Sequence, residues 1–188
     1  MIIEKKVLLT IPTERLLLRK IDRQDAPVLY EYWSDKEVAQ YMNIVPFENK
    51  RQAEEMIDFL NALAEQEVAF RWSILCKDSN QIAGTCGFNN WDKGNQRAEI
   101  GYELGRQYWG QGIMSEALAA IIAHGFKTMG LNRIQALVEP ANAISRKLLV
   151  RMGFEEEGLL RQYEQSKGQY IDLIMYSILK SDNNRYTI

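Results

Sequence analysis

Apolar residues recur along the chain with two different periods, and these periods divide it into helices and strands. Apolar positions three and four residues apart predict four helices, and a glycine follows each of the last two, as is typical of helix ends. The helices are predicted from Asp22 or Asp25 to about residue 33, and over residues 50–66, 115–129 and 141–152. Short apolar runs bounded by turn residues predict strands at residues 15–21, 71–77, 81–91, 96–104, 133–138, 155–163 and 170–179.

The order of these elements, β-α-α-β-β-β-α-β-α-β-β, indicates an α/β (α+β) fold. The turns at residues 78–80 and 92–95 closely join the second, third and fourth strands, which should therefore form an antiparallel meander. The fourth strand, the third helix and the fifth strand form a βαβ unit, whose strands should be parallel with a right-handed crossover. We expect one domain over residues 1–188, with its core at 13–180. Its mixed, mostly antiparallel twisted sheet should have about seven strands and helices on both faces.

Composition and charge exclude several classes of function. The 188 residues carry a net charge of −2, whereas a nucleic-acid-binding protein normally shows a basic excess. No apolar run reaches the length of a membrane span. The first twenty residues are interrupted by charges and by Pro12, so we expect no signal peptide and a cytosolic location. Nucleic acid and membrane are therefore not expected as partners.

The two cysteines and the single histidine give no pattern of metal ligands. Cys76 and Cys86 fit no metal-ligand spacing, so we expect no metal and two reduced, packed thiols, with a redox pair as the less favoured alternative. His124 lies in the middle of a predicted helix beside its apolar face. A packed or surface role is expected for it rather than a catalytic one.

A segment with two glycines, between a predicted strand and a predicted helix, carries the clearest chemical signal. Gly110 and Gly112 lack the Cβ atoms that would keep an anion away from the backbone. The following helix adds free N–H donors and a partial positive charge, which favour a phosphate or pyrophosphate. A tight turn without a ligand explains two glycines equally well. A P-loop would need lysine after the second glycine, and a dinucleotide-binding oxidoreductase would need a third glycine where Ser115 stands, so both interpretations are weaker.

Several motifs, in the same order along the chain, resemble those of one enzyme family. Gln107-x-x-Gly110-x-Gly112 is similar to the Gln/Arg-x-x-Gly-x-Gly/Ala signature of the GCN5-related N-acetyltransferases, the GNAT family. Asn142-x-x-Ser145 on the last predicted helix resembles another motif of that family. The family motifs also include the strand segment 98–102 and the pair Gly153-Phe154. Features similar to the subgroup that acetylates the N-termini of ribosomal proteins are Trp109-Gly110-Gln111-Gly112, Glu116-Ala117, Glu157-Gly158-x-x-Arg161 and Asp172. The resemblance spans residues 15–179.

The resemblance implies acetyl-CoA as the cofactor. Backbone N–H groups of the loop would bind its pyrophosphate, with Gln107 at the start of the loop. The implied donors are Trp109, Gly110, Gln111, Gly112, Ile113 and Met114. The preceding strand would splay from its parallel neighbour, and the pantetheine arm would lie in the gap against the main chain of Tyr102, Glu103 and Leu104. The N–H near Leu104 would receive the thioester carbonyl, and the side chain of Asn142 would contact the pantetheine. Ser145 is also counted among the residues that would bind the cofactor.

Catalytic roles are implied for two residues. Glu99 matches a strand glutamate that acts as base in some family members, although it could be a structural residue paired with Arg97 or Arg106. Ser145 matches the acid of the ribosomal-protein subgroup, although a serine there could simply cap the helix. Leu149 departs from the family, because many members carry a tyrosine seven residues after the asparagine.

The implied acceptor is the N-terminal α-amine of a protein such as a ribosomal protein. A small amine, such as a polyamine or an antibiotic, is an alternative acceptor, and a module that binds acyl-CoA without transfer is an alternative function. Five aromatic residues could line an acceptor groove or belong to the core: Trp33, Tyr41, Phe70, Trp72 and Trp91. A monomer or a homodimer is expected.

Overall fold

Eight strands join into one mixed sheet in the computed structural model, which describes residues 9–182. The strands are β1 Ile11–Pro12, β2 Leu16–Lys20, β3 Phe70–Cys76, β4 Gln81–Asp92, β5 Arg97–Leu104, β6 Arg133–Val138, β7 Glu155–Ser166 and β8 Gln169–Leu179. Their order across the sheet is β1-β2-β3-β4-β5-β6-β8-β7. Among these eight strands, only β5 and β6 pair in parallel, as the βαβ pattern predicts.

Within residues 9–182, four α-helices cover the two faces of the sheet. They are α1 Ala26–Trp33, α2 Lys50–Glu65, α3 Ile113–Lys127 and α4 Ala143–Arg151. The side chain of Asn49 caps α2 in a capping box with Gln52, and Gly112 precedes α3 in the left-handed conformation at φ 76°. Short 3-10 turns at Arg23–Asp25, Ala39–Tyr41 and Arg106–Tyr108 connect these elements.

The hydrophobic side chains form a separate cluster on each face. Helices α1 and α2 pack their apolar residues, such as Leu29 and Ile57, against one face. The other face buries Trp72, Phe88 and Ile134 under α3 and α4. Burying each of these side chains contributes about 1.5–3 kcal/mol, so both layers hold the sheet in place.

The predicted fold class is confirmed, and the bounds of several elements differ from the prediction, as at β1, α3 and β7. The sheet has eight strands rather than about seven, because β1 contributes two residues that pair with Leu17 and Leu18. Helix α3 begins at Ile113, two residues before its predicted start, and β7 extends to Ser166. The predicted absence of a signal peptide concerns a segment that begins in residues 1–8, and these lie outside the described residues. The core bounds of 13–180 stay a prediction.

Four of the five aromatic residues pack in the core, namely Trp33, Phe70, Trp72 and Trp91. Phe70 and Trp72 are buried, and Trp91 packs edge-to-face on Phe70 with ring centroids 5.4 Å apart. His124 is buried against Trp72, as expected for a packed histidine. Both cysteines are free thiols, and burial raises the pKa of Cys86 to about 12, so this thiol is unreactive.

The parallel ladder between β5 and β6 stops early. It contains three residue pairs and ends at Glu99 opposite Gln135, although β5 continues to Leu104 and β6 to Val138. Beyond this point β6 pairs only with β8, and β5 only with β4. The two strands therefore separate toward the C-terminal end of β5, where the glycine loop begins.

Candidate functional site

The gap between β5 and β6 exposes backbone groups of β5. The N–H of Gly105 donates to the carbonyl oxygen of Ala83 in β4 at 2.9 Å. Because backbone groups of successive strand residues point to alternate sides, those of Tyr102 and Leu104 point away from β4 into the gap. Glu103 pairs with β4 and directs its main chain there. Of the three strand residues predicted to contact a cofactor through the main chain, only Tyr102 and Leu104 therefore present N–H groups to the gap.

A cavity of about 1120 Å³ occupies this gap and continues past the glycine loop. It contains most of the residues selected from the sequence: Glu99, Tyr102, Glu103, Leu104, Trp109, Gly110, Gly112, Ile113, Met114, Asn142 and Ser145. Gln107 and Gln111 do not line it. Residues more than 40 positions apart in the chain thus meet around one cavity.

The glycine loop is held by side chains on its outer side. Gln111 Nε2 donates to the carbonyl oxygen of Gln107 at 2.6 Å, and Gln107 Nε2 donates to the hydroxyl of Tyr32 at 3.2 Å. Gly110 has φ 73°, and a Cβ atom there would meet no atom within 4 Å. Gln107 and Gln111 therefore brace the loop, while Gly110 leaves open space beside the backbone where an anion can approach.

Trp109 and Leu104 connect the loop to the end of β5. The indole Nε1 of Trp109 donates to the carbonyl oxygen of Leu104 at 2.9 Å. This carbonyl already has a donor within the chain, whereas the N–H of Leu104 faces the gap. An incoming carbonyl oxygen therefore finds a hydrogen-bond donor at this position.

Glu99 lies at the last pair of the parallel ladder and is partly buried. Burial raises the pKa of its carboxyl group above the usual range, and hydrogen bonds from Asn89 and Gln135 oppose this shift. The nearby negative charge of Glu164 on β7 raises the pKa further. A carboxylate with a raised pKa is a better proton acceptor than an exposed glutamate.

The structure does not support the salt bridges considered for Glu99. Arg97 pairs with Asp92 at 3.1 Å, and Arg106 pairs with Asp35 at 2.6 Å. Glu99 thus takes neutral amide groups as partners, and its negative charge is not neutralised by either arginine.

Glu103 and Arg71 form a second polar group on the same side of β5. Trp33 Nε1 donates to Glu103 at 3.1 Å, and Thr85 Oγ1 donates to the same oxygen at 2.5 Å. Arg71 donates to the carbonyl oxygen of Gly101 at 2.9 Å. Arg71 was not predicted as a site residue, although a charged residue near the start of a mostly buried strand was an available signal.

A pair of hydroxyl groups lies on the other side of β5. The hydroxyl of Tyr102 is 2.7 Å from Oγ of Ser145, and burial raises the pKa of Tyr102 to about 12. The alternative that Ser145 caps α4 is wrong, because the cap is Asn142, whose Oδ1 accepts from the N–H of Ser145 at 3.1 Å. Leu149 is fully buried and lies outside the cavity lining. Tyr102 thus places a phenol hydroxyl next to Ser145.

A short segment, residues 39–43, bridges the cavity between the two halves of the sheet. We call this segment the strap. Lys167 Nζ, at the β7–β8 turn, donates to the carbonyl oxygens of Ala39 and Gln40, both at 2.8 Å. Asn43 Nδ2 donates to Glu164 at 2.6 Å. The strap is therefore fixed to β7 and its turn, although these elements follow it by more than 100 residues.

Clusters of metal-ligating side chains and long apolar helices are both absent from residues 9–182. No group of three or more histidine, cysteine, aspartate or glutamate side chains there could hold a metal ion. Likewise, none of the helices in this part of the chain is both long and apolar enough to cross a membrane.

Known proteins resemble the chain over almost its whole length. The family model described as acetyltransferase (GNAT) domain matches residues 15–155. The uncharacterised N-acetyltransferase p20 of Bacillus licheniformis is 52% identical, and the match covers 92% of this chain and 97% of that protein. The [ribosomal protein uS5]-alanine N-acetyltransferase of Escherichia coli K12 is 31% identical, covering 94% and 93%. The solved structure of RimL, a ribosomal L7/L12 alpha-N-protein acetyltransferase in complex with coenzyme A, superposes with a TM-score of 0.83 at 27% identity and covers 93% and 100%.

Proposed function

Because the chain belongs to the acetyltransferase (GNAT) family, we propose that it transfers the acetyl group of acetyl-CoA to the N-terminal α-amine of a protein, such as a ribosomal protein. The observation that carries this proposal is the early end of the β5–β6 ladder. It leaves the N–H groups of Tyr102 and Leu104 in a cavity that also contains the glycine loop and Glu99.

The residues around the gap fit acetyl-CoA. A pantetheine arm in the gap would pair with the free backbone groups of β5 as an additional strand would. The loop around Gly110 and Gly112, at the N-terminus of α3, would bind the diphosphate through backbone N–H groups. When bound, acetyl-CoA supplies an activated acetyl thioester.

The N–H of Leu104 would stabilise the negative charge that develops on the thioester carbonyl oxygen. A donor already in position for such an oxyanion contributes about 3 kcal/mol to the barrier reduction. Trp109 supports this role indirectly, because its indole hydrogen bond to the carbonyl oxygen of Leu104 fixes the Leu104–Gly105 peptide that follows this N–H.

Glu99 would accept the proton that the amine loses. An α-amine has a pKa of about 8, so about a tenth of it is neutral at pH 7. Glu99 would deprotonate the remaining ammonium form. Its raised pKa narrows the difference in pKa between the carboxyl group and the α-amine. Glu164 lies close enough to influence Glu99 and is a second carboxylate on the acceptor side of the cavity.

Ser145 would donate a hydrogen bond to the departing sulfur, with Tyr102 as its partner. Either hydroxyl can donate to the other. The pKa of about 12 keeps Tyr102 protonated at neutral pH, so the pair keeps a hydroxyl hydrogen available. It would stabilise the thiolate as a hydrogen-bond donor and compensate for the absence of a tyrosine at Leu149.

The acceptor proposal rests on the ribosomal-protein acetyltransferases among the relatives. The strap is hydrogen-bonded to β7 and to the β7–β8 turn, beside the cavity that contains Glu99. A protein N-terminus that lies along the strap would bring its amine to Glu99. A small amine is the alternative acceptor.

The test is acetylation of matched peptides by the purified protein. Peptides with a free N-terminal alanine or serine are offered beside the same peptides with a blocked N-terminus and a free lysine, and beside diamines. Release of CoA thiol is measured, and mass spectrometry locates the acetyl group. We expect acetylation at the free N-terminus and little on the blocked peptide. If only the diamines are acetylated, the proposed protein acceptor is refuted. If no amine causes release of CoA, the proposed transfer activity is refuted.

A further inference from the structure

Arg15, which directly precedes β2, contacts the glycine loop although no motif contains it. Its Nη1 donates to the carbonyl oxygen of Gln111 at 3.0 Å, and its Nε donates to Glu116 Oε2 at 2.6 Å. The other oxygen of Glu116 accepts from the backbone N–H of Arg15 at 2.8 Å and from Thr13 Oγ1 at 2.6 Å. One guanidinium therefore links the loop to the first turn of α3, over about 100 residues of sequence.

The contact with Gln111 determines the direction of the next N–H group. The carbonyl of Gln111 and the N–H of Gly112 belong to the same peptide unit, and the described part of the chain contains no cis peptide bond. In a planar trans peptide these two groups point in opposite directions. Since Arg15 holds the carbonyl, the N–H of Gly112 points away from Arg15. Gly112 lines the cavity and Arg15 does not, so this N–H is directed to the ligand side.

The negative charge of Glu116 gives Arg15 a second role beside the contact with Gln111. It stands in the first turn of α3, where its negative charge would repel a diphosphate at the helix N-terminus. The pKa of Glu116 is lowered by hydrogen bonds from Thr13 and Arg15, which outweigh its desolvation, so it is ionised at neutral pH. Arg15 neutralises this charge at close range, and about half of its own side chain stays exposed.

We propose that Arg15 is a positioning residue for the diphosphate of acetyl-CoA, holding the Gln111–Gly112 peptide so that its N–H faces the ligand while neutralising Glu116. The proposal rests on the proposed function for the identity of that ligand. A planar guanidinium can bond a carbonyl and a carboxylate at once, which a lysine ammonium on a flexible chain does not reproduce.

The test compares acetyl-CoA with S-acetyl-pantetheine, which lacks the diphosphate, in wild-type protein and in R15Q. We expect R15Q to raise KM for acetyl-CoA about tenfold, which corresponds to the loss of roughly one charge-assisted hydrogen bond, with kcat within about twofold. Kinetics with S-acetyl-pantetheine should not change. An equal loss with both substrates, or an unchanged KM for acetyl-CoA, would overturn the proposal.

Two further variants separate positioning from charge. R15K keeps a positive charge near Glu116 but loses the two-sided contact, so its KM should lie between those of R15Q and wild type, and full recovery would overturn the positioning role. R51Q is the matched control, because Arg51 is an exposed arginine with a single carboxylate partner, Glu55. It should behave as wild type. The Tm of each unliganded variant is measured alongside, and an R15Q protein that is unfolded at the assay temperature would also count against positioning.

Failure of this proposal is distinguishable from failure of the proposed function. If wild-type protein acetylates peptides but R15Q has normal kinetics, only the role of Arg15 is refuted. If wild-type protein releases no CoA with any amine, the proposed function itself is refuted.

Discussion

Replacement of Glu99 by glutamine tests the chemistry of the site most directly. The change removes one proton-accepting oxygen and keeps the size and shape of the side chain. The amide can still bond Asn89 and Gln135, which are the hydrogen-bond partners of the carboxylate. The loss of activity therefore measures proton acceptance rather than packing.

The expected magnitude follows from the amine and from the pKa of Glu99. A general base contributes about 10²-fold to 10⁴-fold to rate, and we expect kcat/KM for a peptide to fall about 10²-fold at pH 7. The neutral fraction of an α-amine with pKa about 8 rises from about a tenth at pH 7 to about nine tenths at pH 9. The deficit of E99Q should therefore shrink about tenfold over this range. KM for acetyl-CoA should not change, because the proposed cofactor contacts are backbone groups of Tyr102, Leu104 and the glycine loop, which the substitution leaves in place.

The pH profile provides a second readout. Glu99 must be ionised to accept a proton, and its pKa lies above the ordinary glutamate value of 4.5. The apparent pKa on the acid side of the kcat/KM profile of wild-type protein should accordingly lie above the usual glutamate range. The corresponding fall in kcat/KM at low pH should be absent from E99Q. A raised folded-state pKa also means that ionisation of Glu99 opposes folding. This penalty is absent below the unfolded-state pKa and complete above the folded-state pKa, so E99Q should have the same or a higher Tm at pH 7.

The assay is steady-state release of CoA thiol between pH 5.5 and 9.5 with a peptide acceptor, and thermal unfolding is followed in the same buffers. E55Q, at an exposed position of α2, is the matched control and should match wild type. An unchanged rate and profile in E99Q would refute the assignment. In that case E164Q becomes the decisive variant, because Glu164 is the carboxylate whose charge acts on Glu99.

Three further predictions concern the cofactor, the leaving group and the strap. G110E should weaken CoA binding at least 10²-fold, as measured by calorimetry, because it places negative charge and bulk in open space beside a backbone at φ 73°. A normal affinity of the variant for CoA would refute the proposed anion site. S145A should lower kcat about tenfold without changing KM for acetyl-CoA, and Y102F should lower kcat by a smaller factor, since both hydroxyls belong to one pair. The measurement is steady-state kinetics with both substrates varied, and a raised KM for acetyl-CoA with unchanged kcat would contradict the prediction. K167A should raise the acceptor KM several-fold and leave acetyl-CoA kinetics unchanged, because it removes two hydrogen bonds that hold the strap. Equal acceptor KM values in the variant and in wild type would show that the strap does not shape the acceptor site.

Elements with a clear local period were predictable from the sequence. The four helices and the strands from β2 to β8 follow from the spacing of apolar residues within windows of about ten residues. The strand at residues 133–138 matches β6 to the residue, because turns bound it on both sides. Strand β1 was missed because two residues cannot display a period, and it exists only through its pairing with β2.

The candidate site was predictable where its residues lie close together in the chain. Gly110 and Gly112 indicated an anion site because a turn and the helix after it form one local structure. The partner of Ser145 was not predictable, since Tyr102 lies 43 residues away on another element. Arg15 and Glu116 are 101 residues apart and show no joint pattern in the sequence.

By itself, the sequence determined the helices, the strands, the parallel βαβ unit and the glycine loop, because hydrogen bonding and side-chain periodicity act over a few residues. Only the tertiary structure decided where the β5–β6 ladder stops, which carboxylate lies next to Glu99, and which residues brace the loop from behind. These features depend on the order of strands in the sheet, which places β8 between β6 and β7 and brings β2 under α3. Contacts between such distant segments are set by the packing of whole layers, and no local pattern in the chain records them.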